Sequence, residues 1–484
     1  MPRPRDGILV IAMRASAALF SFLVASLTGP AVGAGHARAA DAVGGRIDAF
    51  VAAEMERQHV PGVAIAVIQH GEVLKTQGYG FANLEHRVPV SPATIFESGS
   101  LGKQFTATAV MPQVEDGKLS LADPITKFLP GAPGSWQRIT VRHLLTHTSG
   151  IPDYTEGAID LQKDYTEDDL AKIAFGLPLE FAPGSRWNYS NTGYVLLGII
   201  VHKVSGTFYG DVLATRVFKP LGMTTARVIS EADIVPNRAA GYERPDGEVK
   251  NQRWVAPTLN TTADGSLYFS VNDLIAWDRG VRARAILKPE SWNEILQPVH
   301  LTSGKTYPYG FGWFLDERAG TPLQEHGGSW QGFKTQFSRF IGDDLSIVVL
   351  ANLAEARPSR IADGIAAIVN PALAVPPLAP IEDREPQVTA RLATLLDAAR
   401  QGALVPADFA YMRAGFFPEG AKAVQQQLQR LGSPGRLVLV RRITRGDDRL
   451  YTYQVAFGER TLQYRVGLAP DDRISSFALD EEEE

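Results

Sequence analysis

The chain has 484 residues, 45% of them apolar and 21% charged, with a formal net charge of −5. That is enough for two or three domains with substantial cores, and there is no basic block of the kind nucleic acid calls for. There is no cysteine, which excludes disulfides, thiolate metal sites, a cysteine nucleophile and lipid attachment through cysteine.

Residues 1–39 read as a secretory signal. Arg3, Arg5 and Arg14 accompany an apolar run that is strongest from Ala15 to Leu27, and Ala37-Arg38-Ala39 is an A-x-A-like cleavage site. The run is too short and too rich in serine to span a bilayer. Residues 1–39 contribute +3 (four Arg, one Asp), which leaves −8 on the rest. The expectation is an exported protein, periplasmic or secreted. After cleavage it has no stable membrane insertion and no attraction to anionic lipid.

From there the pattern predicts a hairpin over 60–84, in which Val63-Ala-Ile-Ala-Val-Ile68 turns at Gln69-His70-Gly71-Glu72 and returns through Tyr79. Helices are predicted over 103–116, from Ile139 through Leu145 toward Gly150, over Asp168–Phe175 and over Asn191–Val204, the last stopped by Gly206. Another follows over Val271–Arg284. Strands are predicted over Gly310–Leu315 and Lys334–Leu353, the second split at Gly342-Asp343-Asp344, and a last helix over Pro358–Val369. Strands at both ends with helices between them suggest one antiparallel sheet closed by both termini, with a helical region inserted.

The division expected is a main domain over 40–370, a proline-rich linker over 371–386 and an accessory α+β domain over 387–484. The last part reads as helices near 387–401 and 419–431 followed by four strands, 436–443, 449–457, 460–468 and 473–480. Tyr451, Tyr453, Val455 and Phe457 alternate, as do Leu462, Tyr464, Val466 and Leu468, so each strand has one buried face.

The chemistry starts at Ser100-Leu-Gly-Lys103. Three residues apart at a helix start, the hydroxyl and the amine share a face. A serine hydroxyl needs a neighbouring base, and a lysine serves if burial or a nearby cation lowers its pKa. Two more elements follow: Tyr189-Ser190-Asn191 and His326-Gly327-Gly328-Ser329, the latter expected just before a strand. His143 and His147, four apart, look like half a zinc site, but Leu144 stands where a zincin has Glu and there is no third ligand in view, so no metal is expected. There is no G-x-S-x-G nucleophile elbow.

Together these elements resemble the three motifs of the serine β-lactamase and penicillin-binding-protein superfamily, in the Y-x-N form of class C β-lactamases, D,D-carboxypeptidases and related esterases. His143-Leu-Leu-Thr-His-Thr-Ser-Gly150, Tyr194-Val-Leu-Leu-Gly198, Lys219-Pro-Leu-Gly-Met223 and Leu267–Leu274 are also similar to recurring family segments, so the resemblance covers about residues 45 to 370.

The resemblance implies an α+β (α/β sandwich) fold, β-lactamase/transpeptidase-like, with an antiparallel sheet flanked by helices and a helical subdomain. It implies Ser100 as nucleophile, with Lys103 and Tyr189 sharing the proton work. Asn191 would hold the substrate amide or the lysine, and the N–H groups of Ser100 and Ser329 would form the oxyanion hole. Gly327 and Gly328 would let a strand edge approach the substrate. His326 would face it where β-lactamases have Lys, holding a carboxylate less firmly than an ammonium does.

The implied function is an acyl-enzyme serine hydrolase for an ester or amide, D-amino-acid peptides among them, with no cofactor. The alternatives are a class C-like β-lactamase and a non-catalytic binding protein of the penicillin-recognising fold. The expected partner is a small-molecule or peptide substrate, and the sequence leaves the oligomeric state open.

Overall fold

The apolar run Val63–Ile68 lies at the heart of a seven-stranded antiparallel sheet. The structure, a computed structural model, describes residues 33–154, 159–411 and 416–481. Most of the signal expected over 1–39 lies outside the described residues. The sheet strands are β1 (Gly62–Gln69), β2 (Glu72–Asn83), β3 (Val88–Pro89), β4 (Phe314–Arg318), β5 (Thr321–Trp330), β6 (Phe333–Phe340) and β7 (Leu345–Ala351), in the order β4-β5-β6-β7-β1-β2-β3. The pairing of β1 with β7, from Val63 opposite Ala351 to Gln69 opposite Leu345, joins early and late sequence at the centre.

Helices cover both faces, which is why β1 is apolar at every position rather than alternating. The period of two divides its side chains between two cores. Val63, Ile65 and Val67, with Ile347 and Val349 of β7, pack on α1 (Gly33–Gln58) through Ile47 and Val51, and on the C-terminal helix of this layer through Ile361 and Ile365. Ala64 and Ala66, with Val348 and Leu350, face the larger helical side. That side is built on α2 (Lys103–Glu115), α3 (Asn191–Ser205) and α4 (Val271–Arg282), and the layer ends with α5 (Pro358–Val369). Among the described residues no single helix is long and apolar enough to cross a membrane.

Two local expectations are corrected and a third is refined. Gly310–Leu315 is not a strand throughout: Gly310 N–H donates to Trp313 O at 2.8 Å and Gly312 has φ +78°, so the chain turns before β4 begins at Phe314. The His326–Ser329 element stands just before the strand β6, as expected, but is itself strand, inside β5. The helix from Ile139 toward Gly150 shrinks to Val141–Leu145, because His147 takes φ +56°, which no right-handed helix accommodates. Helix α1 was not expected, although Ile47, Phe50, Val51 and Met55 carry helical spacing.

Residues 43–484 form one compact unit. Within it α6 (Pro386–Gln401) and α7 (Ala421–Leu431) pack on a second sheet with its own apolar core, Leu392, Leu396 and Leu428 against Tyr453, Val455, Tyr464 and Val466. Its strands β8 (Val438–Arg445), β9 (Asp448–Phe457), β10 (Arg460–Leu468) and β11 (Ile474–Glu481) run antiparallel in sequence order.

Candidate active site

Ser100 sits in a 3-10 turn, Gly99–Gly102, that runs straight into α2 at Lys103. The continuous helical backbone brings the two side chains together, with Lys103 Nζ 3.2 Å from Ser100 Oγ. The serine is partly exposed while the lysine is wholly buried. Nζ also reaches Asn191 Oδ1 at 2.6 Å and Asp264 O at 2.5 Å. Three acceptors match the three protons of an ammonium. Burial nevertheless lowers the Lys103 pKa to about 8, against the opposing pull of Asp264 and Asp153. When the amine loses a proton, two N–H groups can stay on Asn191 and Asp264 while the lone pair faces the serine hydroxyl.

Asn191 is the first residue of α3, after the N-cap Ser190. Its amide is locked by Asp153, whose Oδ2 accepts both Asn191 N–H at 3.0 Å and Asn191 Nδ2 at 2.9 Å. With Nδ2 committed, Oδ1 must face the lysine. Asp264 is half-buried; its desolvation raises its pKa while Lys103 pulls it down, and its Oδ2 accepts Tyr154 OH at 2.9 Å. Asp153 and Asp264 are the residues that sequence reasoning missed. They follow quoted segments (His143–Gly150) or precede them (Leu267–Leu274), but their pairing with Lys103 crosses α2, α3 and two loops.

Tyr189 presents its ring to the lysine, with Nζ 4.8 Å from the centroid, a cation–π contact that favours the ammonium. Its hydroxyl is buried beside the Ser100 side chain and has no other hydrogen-bonding neighbour. Burial pushes the phenol well above its usual pKa, with Ser100 the one neighbour pulling it down. At neutral pH it is therefore a phenol, not a phenolate.

The β5 backbone lies directly on the serine turn. A Cβ on Gly328 would come within 2.0 Å of Ser98 O, and one on Gly99 (φ +51°) within 2.3 Å of Ser329 N. Both positions therefore require glycine. A small cleft of about 40 Å³ opens beside Ser100, lined by Asn191, Asp264, Ser329 and Trp330 among others. Gly327 and Gly328 line a neighbouring groove instead.

His326 does not face that cleft. It is 2% exposed and ends a buried chain. Ser190 N–H donates to His147 Nδ1 at 3.2 Å, so neutral His147 carries its proton on Nε2 and donates to Tyr309 OH at 3.1 Å. Tyr309 OH then donates to His326 Nε2 at 3.2 Å, and His326 Nδ1–H donates to Gly327 O at 2.6 Å. Burial drives both imidazoles to the neutral form, His326 to a pKa of about 3. His326 thus has no free nitrogen and no charge to offer a substrate carboxylate, contrary to the substrate contact expected of it. His143 is part of a helix cap, its Nδ1 accepting Thr140 N–H at 3.1 Å. Among the described residues no group of three or more His, Cys, Asp or Glu could hold a metal.

Residues 47–369 match the Beta-lactamase family. Penicillin-binding protein 4* of Bacillus subtilis (strain 168) is 32% identical over 318 residues, covering 62% of this chain and 70% of that protein. D-aminopeptidase of Gluconobacter oxydans (strain 621H) is 30% identical over 324 residues, covering 64% of this chain and 59% of that protein. The solved structure of D-amino acid amidase from Ochrobactrum anthropi SV3 has a TM-score of 0.60 at 25% identity, over 68% of this chain and 99% of the other. An octameric penicillin-binding protein homologue from Pyrococcus abyssi shares the fold over 90% of this chain and 99% of its own, with a TM-score of 0.61 and 24% identity. With a match over most of its length and an amine buried against the serine of the S-x-x-K element, this chain belongs to the Beta-lactamase family and is a serine hydrolase.

Proposed function

We propose that the protein is an exported amidohydrolase that forms an acyl-enzyme at Ser100, and that its substrates are amides or short peptides of D-amino acids. The observation that carries this reading is the amine of Lys103, wholly buried, held near pKa 8 and 3.2 Å from Ser100 Oγ.

In the free enzyme the neutral fraction of Lys103 takes the Ser100 proton as Oγ bonds to the substrate carbonyl carbon. The carbonyl electron pair moves onto oxygen, where the N–H groups of Ser100 and Ser329 stabilise it, each such donor being worth about 3–4 kcal/mol. Collapse of the tetrahedral species breaks the C–N bond, and Tyr189 passes its phenolic proton to the departing nitrogen and regains one from Lys103. Water then enters the same cycle, and the acid leaves as Ser100 Oγ recovers its proton.

A D-amino-acid amide is supported by the D-aminopeptidase and D-amino acid amidase among the similar proteins. The small cleft beside Ser100 suits a compact acyl group. The uncharged, fully engaged His326 argues against recognition through a substrate carboxylate, and so against an efficient β-lactamase.

The test is a panel of D- and L-amino-acid amides, simple esters and a chromogenic cephalosporin. D-amides should turn over fastest, with an acyl adduct found by mass spectrometry on the Ser100 peptide. Preference for the cephalosporin, or full turnover by Ser100→Ala, would refute the proposal. Export is tested by sequencing the N-terminus of protein recovered outside the cytoplasm, where retention of residues 1–39 would count against it.

A further inference from the structure

The Arg445-Gly446-Asp447-Asp448 turn joins β8 to β9 and takes no part in the chemistry above. Every one of its residues nonetheless reaches out of its own sheet. Arg445 pairs with Asp316 and lies against Tyr307, whose phenol it pulls down in pKa against the effect of burial. Gly446 N–H donates to Thr306 O at 3.2 Å, in a left-handed conformation (φ +59°) that favours glycine, close against the Leu301 side chain. Asp447 pairs with Lys305 at 3.3 Å, and Asp448 with Arg186 Nη2 at 3.2 Å.

These contacts converge on the segment that carries Tyr189. Arg186 is mostly buried. It also donates to Ser475 O at 3.3 Å and lies 3.2 Å over the Tyr411 ring. The next residue, Trp187, stacks on Tyr307 at 4.2 Å and 8°, and Tyr307 is the ring that Arg445 lies against. On the inner side Asn188 N–H donates to His147 O at 2.9 Å, and Ser190 N–H to the ring of the same histidine. The Tyr189 segment is thus gripped by the catalytic layer from within and by the C-terminal sheet from outside. A buried ion pair seldom improves on apolar packing for stability. Arg186 also leaves Nε and Nη1 buried and unpartnered, so what it offers is geometry.

We infer that the Arg445–Asp448 turn is a positioning element of the active site, which holds Tyr189 in register with Ser100 through Arg186 and the Trp187–Tyr307 stack. This rests on the acyl-transfer reading above. The Tyr189 hydroxyl has no neighbour but the Ser100 side chain to hold it, so its aim depends on the backbone that carries it. Misplacement by about 1 Å can cost of order 100-fold in rate.

The experiment compares full-length wild type, Asp448→Asn and Tyr411→Leu on D-alanine p-nitroanilide, a small amide whose departing nitrogen needs the Tyr189 proton. Asp448→Asn should lower kcat by about 10- to 100-fold with KM changed less than about twofold. The rising limb of its pH–rate profile should keep the wild-type midpoint, because Lys103 is untouched. Tyr411→Leu leaves the ion pair in place and should lower kcat less; it serves if Asp448→Asn does not fold. Circular dichroism verifies folding in both. Wild-type kcat in either folded variant overturns the inference, and so does a loss carried by KM. Ser100→Ala separates the two levels: if it still turns over the anilide, the serine reading has failed; if it is dead and Asp448→Asn is normal, only the positioning role has failed.

Discussion

Lys103 Nζ and Asn191 Oδ1 stand 2.6 Å apart, and the contact has one polarity only, because Asp153 holds the other end of the Asn191 amide. The lysine is thereby held beside Ser100 through Asp153, which binds the far end of the same amide.

Lys103→Arg should be as inactive as Lys103→Met, each losing about 100- to 10,000-fold in kcat. Arginine keeps the charge but cannot give up its proton at working pH. Single-turnover acylation by a chromogenic ester reads this directly, and substantial activity in the arginine variant would remove Lys103 as base.

The pH dependence follows from the same group. Its pKa in the folded protein is about 8, and only the deprotonated amine accepts the Ser100 proton. kcat/KM should therefore rise with pH through about 8 and level off above it. A profile flat from pH 6 to 9 would assign the base elsewhere.

Asp153→Ala frees the Asn191 amide to rotate and turn Nδ2 toward the lysine. The expected result is a fall in kcat of roughly tenfold, about 1.4 kcal/mol in barrier, alongside a shifted pH midpoint. An unchanged midpoint would mean that Asp153 serves the fold and not the amine.

Tyr309→Phe breaks the buried chain at its centre. His147 Nε2–H and His326 Nε2 both lose their partner, at about 1–3 kcal/mol for each buried group. Urea unfolding should show the loss as a lower midpoint with an unchanged slope. A stability equal to wild type would contradict the Nε2–H tautomer of His147 and the Nδ1–H tautomer of His326.

Acid should loosen the same chain. The folded-state pKa of His326, about 3, lies below the usual imidazole value of 6.5. The unfolded chain therefore binds the proton first. The stabilisation is complete above pH 6.5 and is lost as pH falls from there toward 3. Melting temperature should drop across that window, and His326→Gln should flatten the slope.

Much of this was legible in one dimension. The alternation of Tyr451, Tyr453, Val455 and Phe457 marked a half-buried strand, and helix and strand were told apart over most of residues 60–370 by period alone. Ser100 and Lys103 could be paired from sequence because one helix turn joins them. Gly310–Leu315 misled because its apolar residues fill a turn, which Gly312 permits by its positive φ. His326 misled because its place in the motif says nothing about the direction of its side chain. That direction is set by the pleat of β5 and by Tyr309, seventeen residues away.

The sequence by itself determined the Ser100–Lys103 pairing and the kind of fold that carries it, since these rest on spacing within a few residues and on local periodicity. Only the tertiary structure decided the state of that amine, the lock on Asn191 and the neutral, occupied His326. Burial and hydrogen-bond direction are properties of what surrounds a residue, and here Asp153, Asp264, His147 and Tyr309 come to the site from separate stretches of chain.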